Sequence, residues 1–130
     1  MATTTNTLAG ITGAAEVLLF GQPSVTVIHT GSATALDATL TPAADQIARF
    51  RHLTVSYSAA PAVSVLTVED GSTVIWQAEL SATGPFVYVF DFSGSPLRGS
   101  RGAVLHAKVG SAGGAVVQTI SVIGDRLKAP

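Results

Sequence analysis

The sequence predicts an all-β domain, an antiparallel two-sheet β-sandwich of jelly-roll type preceded by a flexible N-terminal arm. Three observations lead there. Short stretches rich in Val, Ile, Thr, Tyr and Phe recur about every 8–12 residues with turn residues between them, the spacing of sandwiches and barrels. Within the clearest stretches, apolar and polar residues alternate with a period of two. Helix-start signals are almost absent, and roughly eight strands suit a jelly roll. The pattern alone does not separate that topology from an immunoglobulin-like one.

Residues 1–15 are Thr-, Ala- and Gly-rich without periodicity and read as the arm. Residues 16–130 read as one sandwich domain. Glu16–Phe20 and Val25–Thr30 are the first predicted strands, parted by Gly21-Gln22-Pro23. Gly31–Leu40 reads as a polar loop or weak strand. Thr41-Pro42-Ala43-Ala44-Asp45 resembles a helix start, with Thr41 as N-cap and Pro42 in the first turn, for a helix of one or two turns.

Arg49–Ser58 returns to strand character, with Leu53, Val55 and Tyr57 alternating with Thr54 and Ser56. Ser64–Glu69 and Thr73–Leu80 make a hairpin around Asp70-Gly71, a pair suited to a type I′ turn. Its second strand sets Val74, Trp76, Ala78 and Leu80 inward and Ile75, Gln77 and Glu79 outward.

Pro85–Phe92 is apolar on both faces, Phe86, Tyr88, Phe90 and Phe92 on one and Val87 and Val89 on the other. That predicts a central strand, or one whose outer face lies on a partner. Ala103–Val109 and Val116–Gly124 close the series across the flexible link Gly110–Gly114. Asp125–Pro130 reads as a polar, exposed tail.

Composition narrows the function classes. Of 130 residues 47% are hydrophobic and only 12% charged, against about 25% charged in an average soluble domain. A surface poor in charge is cheap to desolvate, which favours burial against other protein copies. The net charge of −1 and the scatter of seven Lys and Arg give no basic face, so no nucleic-acid partner is expected. No cysteine is present, which excludes disulfides and thiolate metal sites and fits synthesis in a reducing cytoplasm. The start Met1-Ala2-Thr3-Thr4-Thr5-Asn6-Thr7 lacks a basic region and an apolar run, and no stretch reaches 18 apolar residues. Neither export by a leader nor a membrane partner is expected.

No catalytic constellation emerges, and no enzyme and no cofactor is expected. The nucleophile elbow Gly-x-Ser-x-Gly is missing, and Gly94-Ser95-Pro96 reads as a turn. His29, His52 and His106 fall on three different predicted strands and give no metal-ligand spacing. Glu69 and Asp70 are hairpin-tip acids, and Glu79 and Asp91 could be neighbours. Gly110–Gly114 lacks the lysine and helix of a phosphate loop. Arg98, in a Gly/Pro-rich loop, can fork onto a carboxylate or carbonyls to fix that loop, or reach another subunit.

The Asp70-Gly71-Ser72 hairpin is followed by the Trp76 strand, then Phe90-Asp91-Phe92, then Pro96-Leu97-Arg98-Gly99. A small-residue hairpin ends in Val122-Ile123-Gly124. This half of the chain resembles small β-sandwich virion proteins of tailed bacteriophages, of the head decoration or cement type. The resemblance implies a capsid decoration protein of the virion, made in the host cytoplasm. In that family the form is a homotrimer that clamps neighbouring copies of the major capsid protein. It implies assembly contacts at Phe92, Leu97 and Arg98 and, through the arm, at Thr5 and Asn6. Two other readings stand beside it. One is a tail, fibre or adaptor module that binds a virion partner or a host-surface glycan. The other is a carbohydrate-binding module, which would need Trp76, Tyr57 or Tyr88 exposed on a flat face.

Overall fold

The computed structural model describes residues 24–129. The arm, the predicted strand Glu16–Phe20, Thr5 and Asn6 lie outside the described residues.

Nine strands form two antiparallel sheets: β1 (Val25–Ser32), β2 (Leu36–Leu40), β3 (Gln46–Tyr57), β4 (Ser64–Asp70), β5 (Thr73–Leu80), β6 (Phe86–Asp91), β7 (Leu97–Arg98), β8 (Leu105–Val109) and β9 (Val117–Lys128). One sheet runs β1-β9-β3-β6, with the two-residue β7 also on β3; the other runs β2-β8-β4-β5. Leaving out β7, the eight remaining strands follow jelly-roll order: every connection crosses between the sheets except the β4–β5 hairpin, and the first strand lies beside the last and the second beside the next to last. This strand order decides between the two topologies that the sequence left open.

The core is the set of inward residues of both sheets. Leu53, Val55, Ile120 and Val122 from the first sheet meet Leu66, Val68, Leu80, Leu105 and Ala107 from the second, all buried. Phe50 is wholly buried. Trp76 faces inward as expected and packs edge-on against Phe90 and Phe92, with ring centres 5.0 and 5.2 Å apart. Gln118, also fully buried, donates from Nε2 to the carbonyls of Thr34 (2.8 Å) and Gly110 (2.9 Å). One side chain thereby ties two loops at the same end of the sandwich.

Several sequence expectations change. Thr41–Asp45 is no helix but a tight turn: Gln46 N donates to Ala43 O, and the Gln46 side chain accepts from Ala43 N (both 3.0 Å). The segment only has to carry the chain from one sheet to the other, and the strand at Gln46 leaves no length for a helix. The β4–β5 turn is a two-residue loop of Gly71 and Ser72, since Asp70 pairs with Thr73. Gly71 has φ 61° and Ser72 is not in the positive-φ region, which is the type II′ arrangement rather than I′. The register slips between Val68 and Glu69, leaving Ile75 as the extra residue. Val74 then pairs with Glu69 and stands 49% exposed instead of facing inward.

The largest correction is at the C-terminus. Asp125–Lys128 is no exposed tail; β9 continues against the start of β3, Asp125 opposite Arg49 and Lys128 opposite Gln46. Likewise β6 is an edge strand, not a central one.

Candidate assembly surface

Alternation along the strands gives each sheet an outer face, and the two faces differ in kind. The outer face of the β2-β8-β4-β5 sheet is laced with charge. His106 Nδ1 lies 3.1 Å from Asp37, and Lys108 Nζ lies 3.0 Å from Glu69. Both pairs run diagonally between neighbouring strands, a spacing that long side chains span. Gln77 and Glu79 continue this polar row on β5. Ion pairs of this exposed kind contribute little stability, but they suit a surface that stays in water. A shallow hollow of about 310 Å³ lies here between Leu36, Val65 and Lys108. Its two charged lining groups, Asp37 and Lys108, are already committed to His106 and Glu69, so neither charge is free to orient a ligand.

The outer face of the five-stranded sheet has two halves. One half carries no charge. It is built of Ile28 and Thr30 on β1, Thr119 and Ser121 on β9, Thr54 and Ser56 on β3, and Val87 and Val89 on β6, aligned by the strand pairing. Ile28, Val87 and Val89 are 61%, 54% and 62% exposed. The small hydroxyls partly satisfy one another, as in the 3.0 Å contact between Thr30 and Thr119. Side chains this short lose little rotamer freedom when covered, and no charge has to leave water.

The other half is polar and centred on Asp125. Its carboxylate accepts Nε and Nη2 of Arg49 at 2.7 and 2.8 Å and Nε of Arg51 at 3.0 Å. A bulge places Arg51 there. The β3–β9 register shifts between Phe50 and His52, so Arg51 is the extra residue. Burial pushes the Asp125 carboxyl up, but the hydrogen bonds and charges of both arginines outweigh it and hold the group below the usual carboxylate range. His52 Nε2 lies 3.3 Å from Asp91 at the β6 end.

Arg98 belongs to this half. It pairs through its backbone with Arg49 and so shares its face. Among the described residues its side chain makes no hydrogen bond or ion pair. The loop it sits in is fixed by other groups. Gly99 N donates to Ala48 O (2.9 Å), Ser95 N donates to Phe92 O (3.0 Å), and the Asp70 carboxylate accepts the N–H and hydroxyl of Ser100. Phe92 and Leu97 turn inward against the core and are occupied by packing within the domain. Arg98 is thus the one described candidate contact that projects outward. The neutral half, which carries most of the exposed apolar surface of this sheet, holds none of the residues named as assembly contacts, though the sequence offers the outer face of its Val87–Val89 strand to a partner as one of two readings. The signal was present in the two-faced apolar pattern of Val87 and Val89.

The remaining sequence candidates are dispersed. His29 lies on β1, His52 on β3 and His106 on β8 in the other sheet. Among the described residues no group of three His, Asp or Glu is placed to hold a metal. Glu79 and Asp91 are on different sheets and project to opposite sides of the sandwich, so they are not neighbours. Tyr57 is buried, and Trp76 and Tyr88 are half-buried against the core, so none of the three forms an exposed aromatic platform.

No family model matches the chain, and no curated protein matches it. Among solved structures, it is similar to a protein of Bacillus endospore appendages, described as disulfide-linked pili, at 12% identity over 83% of this chain and 87% of that one, with a TM-score of 0.37. It is similar to the SPBc2 prophage-derived protein YomS at 12% identity over 78% and 96%, TM-score 0.38. It is also similar to the CBM36-1 domain of a multidomain xylanase from the hindgut metagenome of Trinervitermes trinervoides at 10% identity over 78% and 95%, TM-score 0.41. These superpositions are too loose to carry a role to this chain. The functional reading rests on the surface.

Proposed function

We propose that the chain is a structural subunit of a bacteriophage virion, a head decoration protein that binds the capsid surface through the outer face of its five-stranded sheet. The observation that carries this is the contrast between the two sheets. One outer face is dressed with ion pairs for water. The other presents an uncharged expanse of Val, Ile, Thr and Ser beside a fixed arginine-rich rim. Such a surface gains free energy by being covered, at about 25 cal/mol per Å² of apolar area before the costs of association. Repeated along a particle, modest contacts hold through effective concentration. The resemblance of the second half of the sequence supports the virion setting. Jelly rolls also serve as lectins and enzymes, so the strand order alone does not choose among them.

Two results test this. Mass spectrometry of purified particles should find hundreds of copies per particle; six or twelve would point to a tail or adaptor position instead. Deleting residues 1–15 should weaken binding to particles while the β-sheet circular dichroism spectrum stays unchanged. A deletion that binds as tightly as the full chain would remove the arm from the account.

A further inference from the structure

We propose that β6 is a self-association edge, at which two copies of this chain pair antiparallel, β6 to β6, about a two-fold axis through Tyr88. A second copy is the occupant because, among the described residues, this edge is left open and its sequence complements itself. It deepens the assembly reading and rests on it only for the use of the doubled surface.

A sheet edge presents unpaired N–H and C=O groups, and proteins ordinarily guard it with charge, proline, a bulge or brevity. The other three edges are guarded or polar. β5 carries the bulge at Ile75 and an outward Glu79; β2 is five residues long and holds Asp37 in an ion pair; β1 presents Thr26, His29, Thr30 and Ser32. β6 is the least guarded, its one charge, Asp91, and the neighbouring Pro85 standing only at its two ends. Phe86–Phe90 runs without charge, proline or bulge in its pairing with β3. Its outer valines and Phe86, 51% exposed, are the largest apolar exposure on any edge.

The register follows from the requirement that outer residues meet outer residues. With Tyr88 opposite Tyr88 of the second copy, Val87 faces Val89, Phe86 faces Phe90, and every cross-strand pair of the segment joins apolar or aromatic side chains. The two Asp91 carboxylates then lie at opposite ends, about 20 Å apart by strand rise and beyond the screening length, so they do not repel. A two-residue shift would set Val87 against Asp91. Pairing in this way makes the two neutral faces continuous and roughly doubles the area one unit offers to a capsid.

The test uses the pure full-length chain without particles, so its outcome is separate from that of the virion reading. Light scattering over a concentration series should show two copies per particle in solution. Val89→Lys should weaken that dimer by about tenfold, since it replaces the two Val87–Val89 cross-strand contacts flanking the axis and brings two like charges near it. Ile28→Lys, equally exposed on the same face but on β1, should leave it intact. The cysteine-free chain allows a register check. Val87→Cys with Val89→Cys should form an interchain disulfide on oxidation, at the Cα separation that opposed strand residues provide, and Val89→Cys alone should not. A strict monomer, a three-copy species, a dimer indifferent to Val89→Lys, or equal loss in Ile28→Lys would each overturn the proposal.

Discussion

Replacing Asp125 by alanine is expected to lower stability by about 3 kcal/mol, because it strands two arginines whose positive charges were matched by one carboxylate. Asp125 is only 6% exposed, and the Arg49 and Arg51 side chains are 18% and 35% exposed. Partial access to water for the arginines keeps the figure at the lower end of what breaking a buried pair costs. Urea unfolding monitored by tryptophan fluorescence would read it as a lower midpoint with unchanged slope.

The same carboxylate sets a pH dependence whose sign is fixed. Its folded-state pKa lies below the unfolded value, so the stabilisation is present above about pH 4 and is lost as pH falls below that value. Asp125→Asn should therefore show a shallower loss of stability in acid than the parent. Some slope should remain, because Asp45 and Asp91 are also held low, by Lys128 and Ser93 respectively. An acid limb of equal steepness in Asp125→Asn would show that the triad does not drive it.

Gly124→Ala is expected to be comparably severe. A Cβ built there would stand 2.3 Å from the Arg49 carbonyl oxygen, 3.0 Å from Leu40 Cδ2 and 3.3 Å from Phe50 Cδ1. The first contact is with backbone held in the β3–β9 ladder, so it cannot swing aside without breaking strand pairing. A cost of about 3 kcal/mol is expected, at the upper end of overpacking. Gly84→Ala, where an added Cβ meets nothing within 4 Å, should change the unfolding midpoint little.

These two positions also show where the sequence was legible and where it was not. β5 is read from sequence with its observed limits, because strict alternation and a tight turn are local signals. The end of β9 is not. Asp125, Arg126 and Lys128 look like a tail, and only the partnership of Asp125 with Arg49 and Arg51, more than 70 residues away, makes them strand. β7 is missed for a related reason: two residues have no period, and their pairing with β3 is entirely tertiary. The turn at Thr41–Asp45 carries real helix-capping residues, but the competing demand of crossing between sheets wins. Val87 and Val89 were legible as a two-faced strand, yet centre and edge read alike until the strand order is known.

The central claim is that the five-stranded sheet's outer face is the covered one. A cryo-electron microscopy map of intact particles carrying this chain tests it most directly. The account expects Val87, Val89 and Ile28 turned toward other protein, with the His106, Lys108 and Glu69 face directed to solvent. A map with that polarity reversed, or with the neutral face open to water in every copy, would contradict it.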